Sequence, residues 1–491
     1  MSTRRLIAPV QRRLLIGLLG LLLTVFPTIF IQAAQDGGKQ YAFFNGSDPA
    51  IYYFGRVKRE DNAVWTWPGA GLRVVYNNST SVTVRLHDDY FWDESSQNTP
   101  RMLWYRIDRG GWNRILLGAN SENDVQLFVP GSKTKHQLDI VKASEGQVTF
   151  KAILLDQGGT IEPPSVPGGK IEIVGDSTST GYKVYGSASF EVAGNHDAKA
   201  SYGWLLADRL GAEAHIIAIT GRGLVHNFGM PSNSPVKTVP GDYPFLGRDY
   251  NGPNDWSWQP GIVIVNLGTN DVSAPADTAP ADFQGAYVNL LSMLRDRNPG
   301  ALIIAMTPFG LRGGSQKIYP AEIQAAVVLR KAAGDGSVAF ADTSGWLGSS
   351  DFTDGVHPNA YGHIKAANHL AAFISGIGKA LAAPPSSAAS APAATATTVT
   401  IANSSSCPGA RATRLAVGQN ARVITDGLGP SPVLDQPGGH TIVNAPEGTI
   451  LKVFDGPRCY KRGLFWLVYL PDGRAGWILE GDRSRYFIEP A

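Results

Sequence analysis

The stretch KIEIVGDSTS, residues 170–179, is a short apolar run that leads directly into a serine-bearing turn. An apolar run of this length bounded by a glycine reads as a strand buried on both faces. Working outward, AHIIAI (214–219), GIVIVNL (261–267), ALIIAM (301–306) and SVAFAD (337–342) repeat the pattern. Between them lie helical patterns at SYGWLLADRL (201–210), DFQGAYVNLLSMLRDR (282–297), AEIQAAVVLRKAA (321–333) and NAYGHIKAANHLAAFISGI (359–377). Near-continuous apolar strands alternating with helices predict a parallel sheet covered on both faces.

Upstream the pattern changes. LRVVY (72–76), SVTVRL (81–86), MLWYRID (102–108), NRILL (113–117), VQLFV (125–129), HQLDIV (136–141) and VTFKAILL (148–155) are short runs between turn signals. Strands at this spacing, with one face inward, predict a β-sandwich of jelly-roll type over residues 41–158. DQGGTIEPPSVPGG (156–169) is a Pro/Gly-rich joint. Downstream, residues 382–406 contain almost no large apolar side chain and read as a linker. Short β signals return over 411–491, enough for a small barrel. The chain is thus multidomain, with its α/β unit at about 168–381.

The formal net charge of +2, from 43 Lys plus Arg against 41 Asp plus Glu, gives no basic face for nucleic acid. Arg4, Arg5, Arg12 and Arg13 precede an uncharged run from Leu14 to Gln35 that ends near Ala33 and Ala34. Residues 1–35 therefore read as an export signal, or as an uncleaved membrane anchor since the run is long enough to span. Either places the remainder outside the cytoplasm, secreted or held at the cell surface. The two cysteines, Cys407 and Cys459, form no CxxC pair, so no cysteine zinc site is expected. In an exported chain they read as one disulfide, two free thiols being the alternative.

Three short motifs carry the chemistry. Gly175-Asp176-Ser177 follows the first strand of the α/β unit, where a sharp turn lifts a serine out of the sheet. A helix N-cap would explain it equally. Gly268-Thr269-Asn270-Asp271 follows a second strand, and an Asn amide there can donate to an oxyanion or merely close an Asx turn. Asp354-Gly355-Val356-His357-Pro358 precedes the last helix, where Asp354 can fix the His357 tautomer with Nε2 toward the serine. Each motif alone is weak. The order Ser, Asn, Asp-His, each in a loop between a strand and a helix, is hard to reach by chance. No HExxH or His/carboxylate cluster is present, so neither metal nor cofactor is expected.

The arrangement resembles the SGNH (GDSL-type) hydrolase superfamily over about residues 168–380. The resemblance implies that Ser177 is the nucleophile, His357 its base and Asp354 the residue that orients it. It also implies an oxyanion hole from the Ser177 amide, the Gly221 amide and the Asn270 side chain, with Gly223 the neighbouring candidate. YYFGR (52–56), ITGRG (219–223) and DWSW (255–258), with a sandwich ahead, resemble carbohydrate esterase family 2, the acetyl xylan esterase-like group. That resemblance implies an acetylated polysaccharide substrate and an aromatic wall beside the nucleophile, for which Trp256 and Trp258 are the candidates. VLDQPGG (433–439), GTILKVF (448–454) and FWLVYLPDGRAGWI (465–478) resemble bacterial SH3-like domains, which implies binding to cell-wall glycan or peptide. The expected function is removal of O-acetyl groups from hemicellulose. A peptidoglycan O-acetyl esterase of the same fold and a non-catalytic glycan-binding protein are the alternatives.

Overall fold

The computed structural model describes residues 32–36, 39–89, 101–128, 135–186, 195–247, 252–273, 276–309, 319–377 and 407–491, apart from short breaks in the last span. The basic n-region, most of the apolar run that follows it and the 382–406 linker lie outside the described residues.

The N-terminal part is two antiparallel sheets of seven and six strands. The central strand of one, Gln147–Asp156, pairs with Ser81–Asp89, Lys39–Asn45 and Ala63–Trp65. In the other, Lys135–Lys142 lies between Gly71–Asn77 and Met102–Ile107, with Asn113–Leu116 outside it. Inward residues of both sheets, among them Trp65, Val148 and Phe150 facing Leu72, Leu103, Leu138 and Ile140, form one core. The Trp65 and Phe150 rings stack 5.9 Å apart at its centre.

The middle part is a five-stranded parallel sheet. Its order is Ala212–Ala218, Gly169–Gly175, Ile262–Asn266, Leu302–Met306, Val338–Ala341. The strands are mainly apolar because both faces are covered, with Lys170, Glu172, Glu213, His215 and Asn266 the polar exceptions. Val174, Ile217, Val263, Val265 and Ile303 pack against the helices Pro280–Arg297 and Pro320–Ala332. Ile171, Ile173, Ile216, Ile264 and Ile304 pack against Tyr202–Arg209 and Ala360–Gly376 on the opposite face. In chain order the strands run 2-1-3-4-5. The reversal between the first and third opens a crevice at their carboxyl ends, where ligands bind in such sheets.

The sandwich and this sheet are joined by buried polar contacts. Arg56 donates to Glu172 at 2.9 Å, both side chains being nearly inaccessible. Tyr52 donates to Glu213, and Trp67 Nε1 to the Leu246 carbonyl. The C-terminal part is a seven-stranded antiparallel sheet packed on a core of Val423, Val433, Val453, Trp466, Val468 and Ile478. Cys407 and Cys459 form a disulfide with Cα atoms 5.2 Å apart.

Candidate active site

Ser177 sits at the first turn beyond the Gly169–Gly175 strand. Asp176 caps the short helix Ser177–Thr180 by accepting from Thr178 N–H at 3.0 Å, and Gly181 closes it at φ +75°. Gly175 is required there, since a Cβ would stand 2.1 Å from the Ser179 hydroxyl. The turn presents Ser177 Oγ to His357 Nε2 at 2.9 Å. His357 Nδ1 lies 2.9 Å from Asp354 Oδ2, and the Asp354 carboxylate also accepts the His357 backbone N–H at 2.9 Å. An ionised carboxylate only accepts, so Nδ1 carries the proton and Nε2 offers a lone pair to the serine. Lys183 Nζ donates to Asp354 Oδ2 at 3.0 Å. Partial burial pushes the Asp354 carboxyl up, but the hydrogen bonds and charge of His357, with the Lys183 bond, outweigh it and hold it well below the usual carboxylate range. The edge of the Tyr182 ring packs on the imidazole, centroids 4.8 Å apart.

Asn270 meets the loop that carries Gly221. Asn270 Nδ2 donates to the Arg222 carbonyl at 2.8 Å, fixing the amide against the loop that carries Gly221. Gly221 has φ +78°, a conformation that favours glycine. Gly223 N–H is engaged by Asn227 Oδ1 at 3.1 Å, and a Cβ there would stand 1.9 Å from the His226 carbonyl, so its role is to fold the loop. Asp271 accepts the backbone N–H groups of Leu224, Val225 and His226 at 3.0, 2.6 and 3.0 Å. Thr220, just before Gly221, is held from the sandwich: its N–H and hydroxyl both donate to Glu145. Sequence reasoning missed Glu145, because nothing local marks a carboxylate whose partner lies 75 residues away.

Trp256 and Trp258 are not beside Ser177, which corrects the expected aromatic wall. They precede the Ile262–Asn266 strand and so lie at the opposite edge of the sheet from the serine. The five residues of that strand alone carry the chain about 16 Å. Trp258 stacks on His215 at 3.4 Å and donates to Glu213 at 2.9 Å. Trp256, at φ +58°, is flanked by the guanidinium groups of Arg56 and Arg297 at about 5 Å. Both line a cleft of about 430 Å³ at the junction with the sandwich.

A parallel-sheet domain with a serine, histidine and aspartate in line at its carboxyl edge is an arrangement common to several kinds of serine hydrolase, and the family matches assign this chain to the carboxylic ester hydrolases. Residues 173–364 match the GDSL-like Lipase/Acylhydrolase family. Residues 53–164 match the carbohydrate esterase 2 N-terminal family. The chain carries both, a GDSL-type ester hydrolase domain behind a carbohydrate esterase 2 N-terminal domain. It is similar to an acetylxylan esterase / glucomannan deacetylase of Cellvibrio japonicus, 29% identical over 285 residues, which are 55% of this chain and 74% of that protein. It is also similar to cellulase/esterase CelE of Acetivibrio thermocellus, 28% identical over 67% of this chain but only 39% of that longer protein. Among solved structures, a family two carbohydrate esterase from Clostridium thermocellum in complex with cellohexaose superposes with a TM-score of 0.59 at 25% identity, covering 67% of this chain and 98% of that one.

Proposed function

We propose that the protein is an exported carbohydrate O-acetyl esterase, with Ser177, His357 and Asp354 as its triad. The observation that carries this reading is the 2.9 Å contact of Ser177 Oγ with His357 Nε2, continued by the 2.9 Å contact of Nδ1 with Asp354. Ser177 Oγ attacks the acetyl carbonyl as His357 takes its proton. The tetrahedral oxyanion is held by the Ser177 and Gly221 amides and the Asn270 side chain. His357 then returns the proton to the departing sugar hydroxyl, and water hydrolyses the acetyl-enzyme by the same route. The named activity of the Cellvibrio japonicus relative, acetylxylan esterase / glucomannan deacetylase, supports an acetylated hemicellulose as substrate.

The antiparallel sheet behind the linker favours one second reading. If residues 411–491 are an SH3-like wall-binding module, the acetyl ester belongs to peptidoglycan. Acetate release from acetylated xylan, glucomannan and peptidoglycan, measured side by side, separates the two. Ser177→Ala and His357→Ala should each abolish release while the fold persists, and the double variant should be little worse than either. Substantial turnover by Ser177→Ala would remove the serine from the reaction.

A further inference from the structure

We propose that the cleft of about 430 Å³ between sandwich and hydrolase, at the sheet edge opposite Ser177, is a second binding site that takes a neutral sugar segment of the polysaccharide. The choice of polymer rests on the carbohydrate esterase reading above, whereas the ligand class follows from the groups in the cleft wall. The volume falls within the range of about 300–1,000 Å³ usual for small-ligand sites.

Three side chains decide what fits. Arg56, His215 and Asn298 line the cleft, and each is more than nine-tenths buried. Each spends only part of its bonding capacity on the protein. Arg56 gives its terminal nitrogens to Glu172 and to the Tyr243 and Phe245 carbonyls. His215 Nε2 meets Glu213 Oε1 at 3.0 Å. Asn298 Nδ2 donates to Tyr243 Oη at 2.8 Å and to the Leu294 carbonyl at 3.1 Å. What is left over is Arg56 Nε–H, His215 Nδ1 and Asn298 Oδ1. None of these bonds a described residue, and none is sealed from solvent as orphan polar atoms elsewhere in the fold are. Arg56 Nε–H donates and Asn298 Oδ1 accepts. His215 Nδ1 accepts too, because a carboxylate partner puts the imidazole proton on Nε2.

The wall also carries the rings of Tyr52, Tyr53, Trp256 and Trp258. Trp256 has φ +58°, a conformation strained for a bulky residue and kept only where the surroundings impose it. Asp255 Oδ1 pins the turn by accepting Ser257 N–H at 2.9 Å and Ser257 Oγ at 2.8 Å, and the Arg56 and Arg297 guanidinium groups hold the indole at 5.1 and 5.0 Å. Trp258 N–H is taken by Glu213, whereas Trp256 N–H bonds no described residue. A sugar hydroxyl both donates and accepts, so one ring bearing several hydroxyls answers all of these groups, and its C–H edges suit the aromatic wall. A carboxylate or phosphate only accepts and would face two acceptors. A hydrocarbon would strip the same groups of water and return no bond.

The reporter is the Trp256 indole N–H resonance of the full-length chain, identified by its loss in Trp256→Phe. Unacetylated xylohexaose or mannohexaose should move it, and a galacturonic acid hexamer should act about tenfold more weakly, the scale of one mismatched hydrogen-bonding group. Ala50→Phe narrows the cleft from its wall and should weaken the response to the neutral hexaoses by about tenfold, with Tm unchanged. Val166→Phe, exposed on the same cleft, serves should Ala50→Phe fail to fold. A signal that neither neutral hexaose moves, or that responds equally in the narrowed variants, overturns the proposal and leaves the cleft a hydrated gap. A stronger response to the galacturonic acid hexamer overturns the ligand class. Acetate release from acetylated xylan scores the esterase reading separately. Release with a silent Trp256 signal sinks only the cleft, and a responsive signal without release sinks only the esterase.

Discussion

Asp354 faces the imidazole on one side and the Lys183 ammonium on the other, and both contacts yield measurable consequences. Asp354→Asn offers Nδ1 an amide that can donate, which permits the wrong tautomer. We expect kcat to fall strongly, on the order of 10⁴-fold as in the best-studied triad, and a loss below about tenfold would assign the orienting role elsewhere. The carboxyl titrates lower in the folded chain than its ordinary value of 3.8. Its contribution to stability is therefore complete above that value and is lost as pH falls below it. The gap in Tm between wild type and Asp354→Asn should be steady from neutral pH down to about pH 5 and close below about pH 4. Lys183 acts with the opposite sign on the base. Its ammonium lies within about 6 Å of the imidazole through the shared carboxylate and opposes imidazole protonation. Lys183→Met should move the acid limb of kcat/KM to higher pH by about half to one unit. A limb that stays in place would make Lys183 a surface ion pair without influence on the triad.

The loop from Thr220 to Phe228 is the element on which the oxyanion assignment depends, and Asp271 is its clamp. Burial pushes the Asp271 carboxyl up while three backbone N–H groups pull it back, with a net rise. Asp271→Asn keeps one acceptor oxygen but turns an NH2 toward at least one of those donors. We expect about 1–3 kcal/mol of destabilisation and a fall in kcat larger than any change in KM, measured by denaturation and by 4-nitrophenyl acetate hydrolysis. This clamp was half legible in the sequence: GTND marked Asn270 as a donor, but Asp271 read only as turn chemistry. The five parallel strands were legible because strands covered on both faces are apolar at most positions. The short strands Tyr52–Phe54, Ala63–Trp65 and Thr160–Glu162 were not, because three residues show no period and their pairing is dictated by distant partners. Trp256 and Trp258 were misplaced for a different reason: the aromatic wall was implied by the resemblance alone, and the whole strand Ile262–Asn266 separates them from the edge that carries the serine.

At the scale of the molecule, the sandwich and the parallel sheet share buried hydrogen bonds and an ion pair, whereas the C-terminal sheet has its own core and its own disulfide. A chain ending at Leu381 should fold and keep kcat/KM on 4-nitrophenyl acetate within about twofold, since the C-terminal sheet has its own core and its contact with the hydrolase through Lys452 and the Tyr361 ring involves no triad residue. It should lose retention on insoluble glycan if the C-terminal part tethers the enzyme there. Loss of small-ester turnover would make that part a component of the catalytic structure. The opposite holds for the sandwich. Replacing Arg56 by Met would leave Glu172 buried without its cation, a cost of several kcal/mol. The reach of Glu145 across the seam to Thr220 goes further, because it couples a residue of one domain to the geometry of another domain's chemistry. Ester turnover is thus a gauge of the sandwich's integrity: on warming, hydrolysis should fade in step with the melting of a domain that supplies no reacting atom.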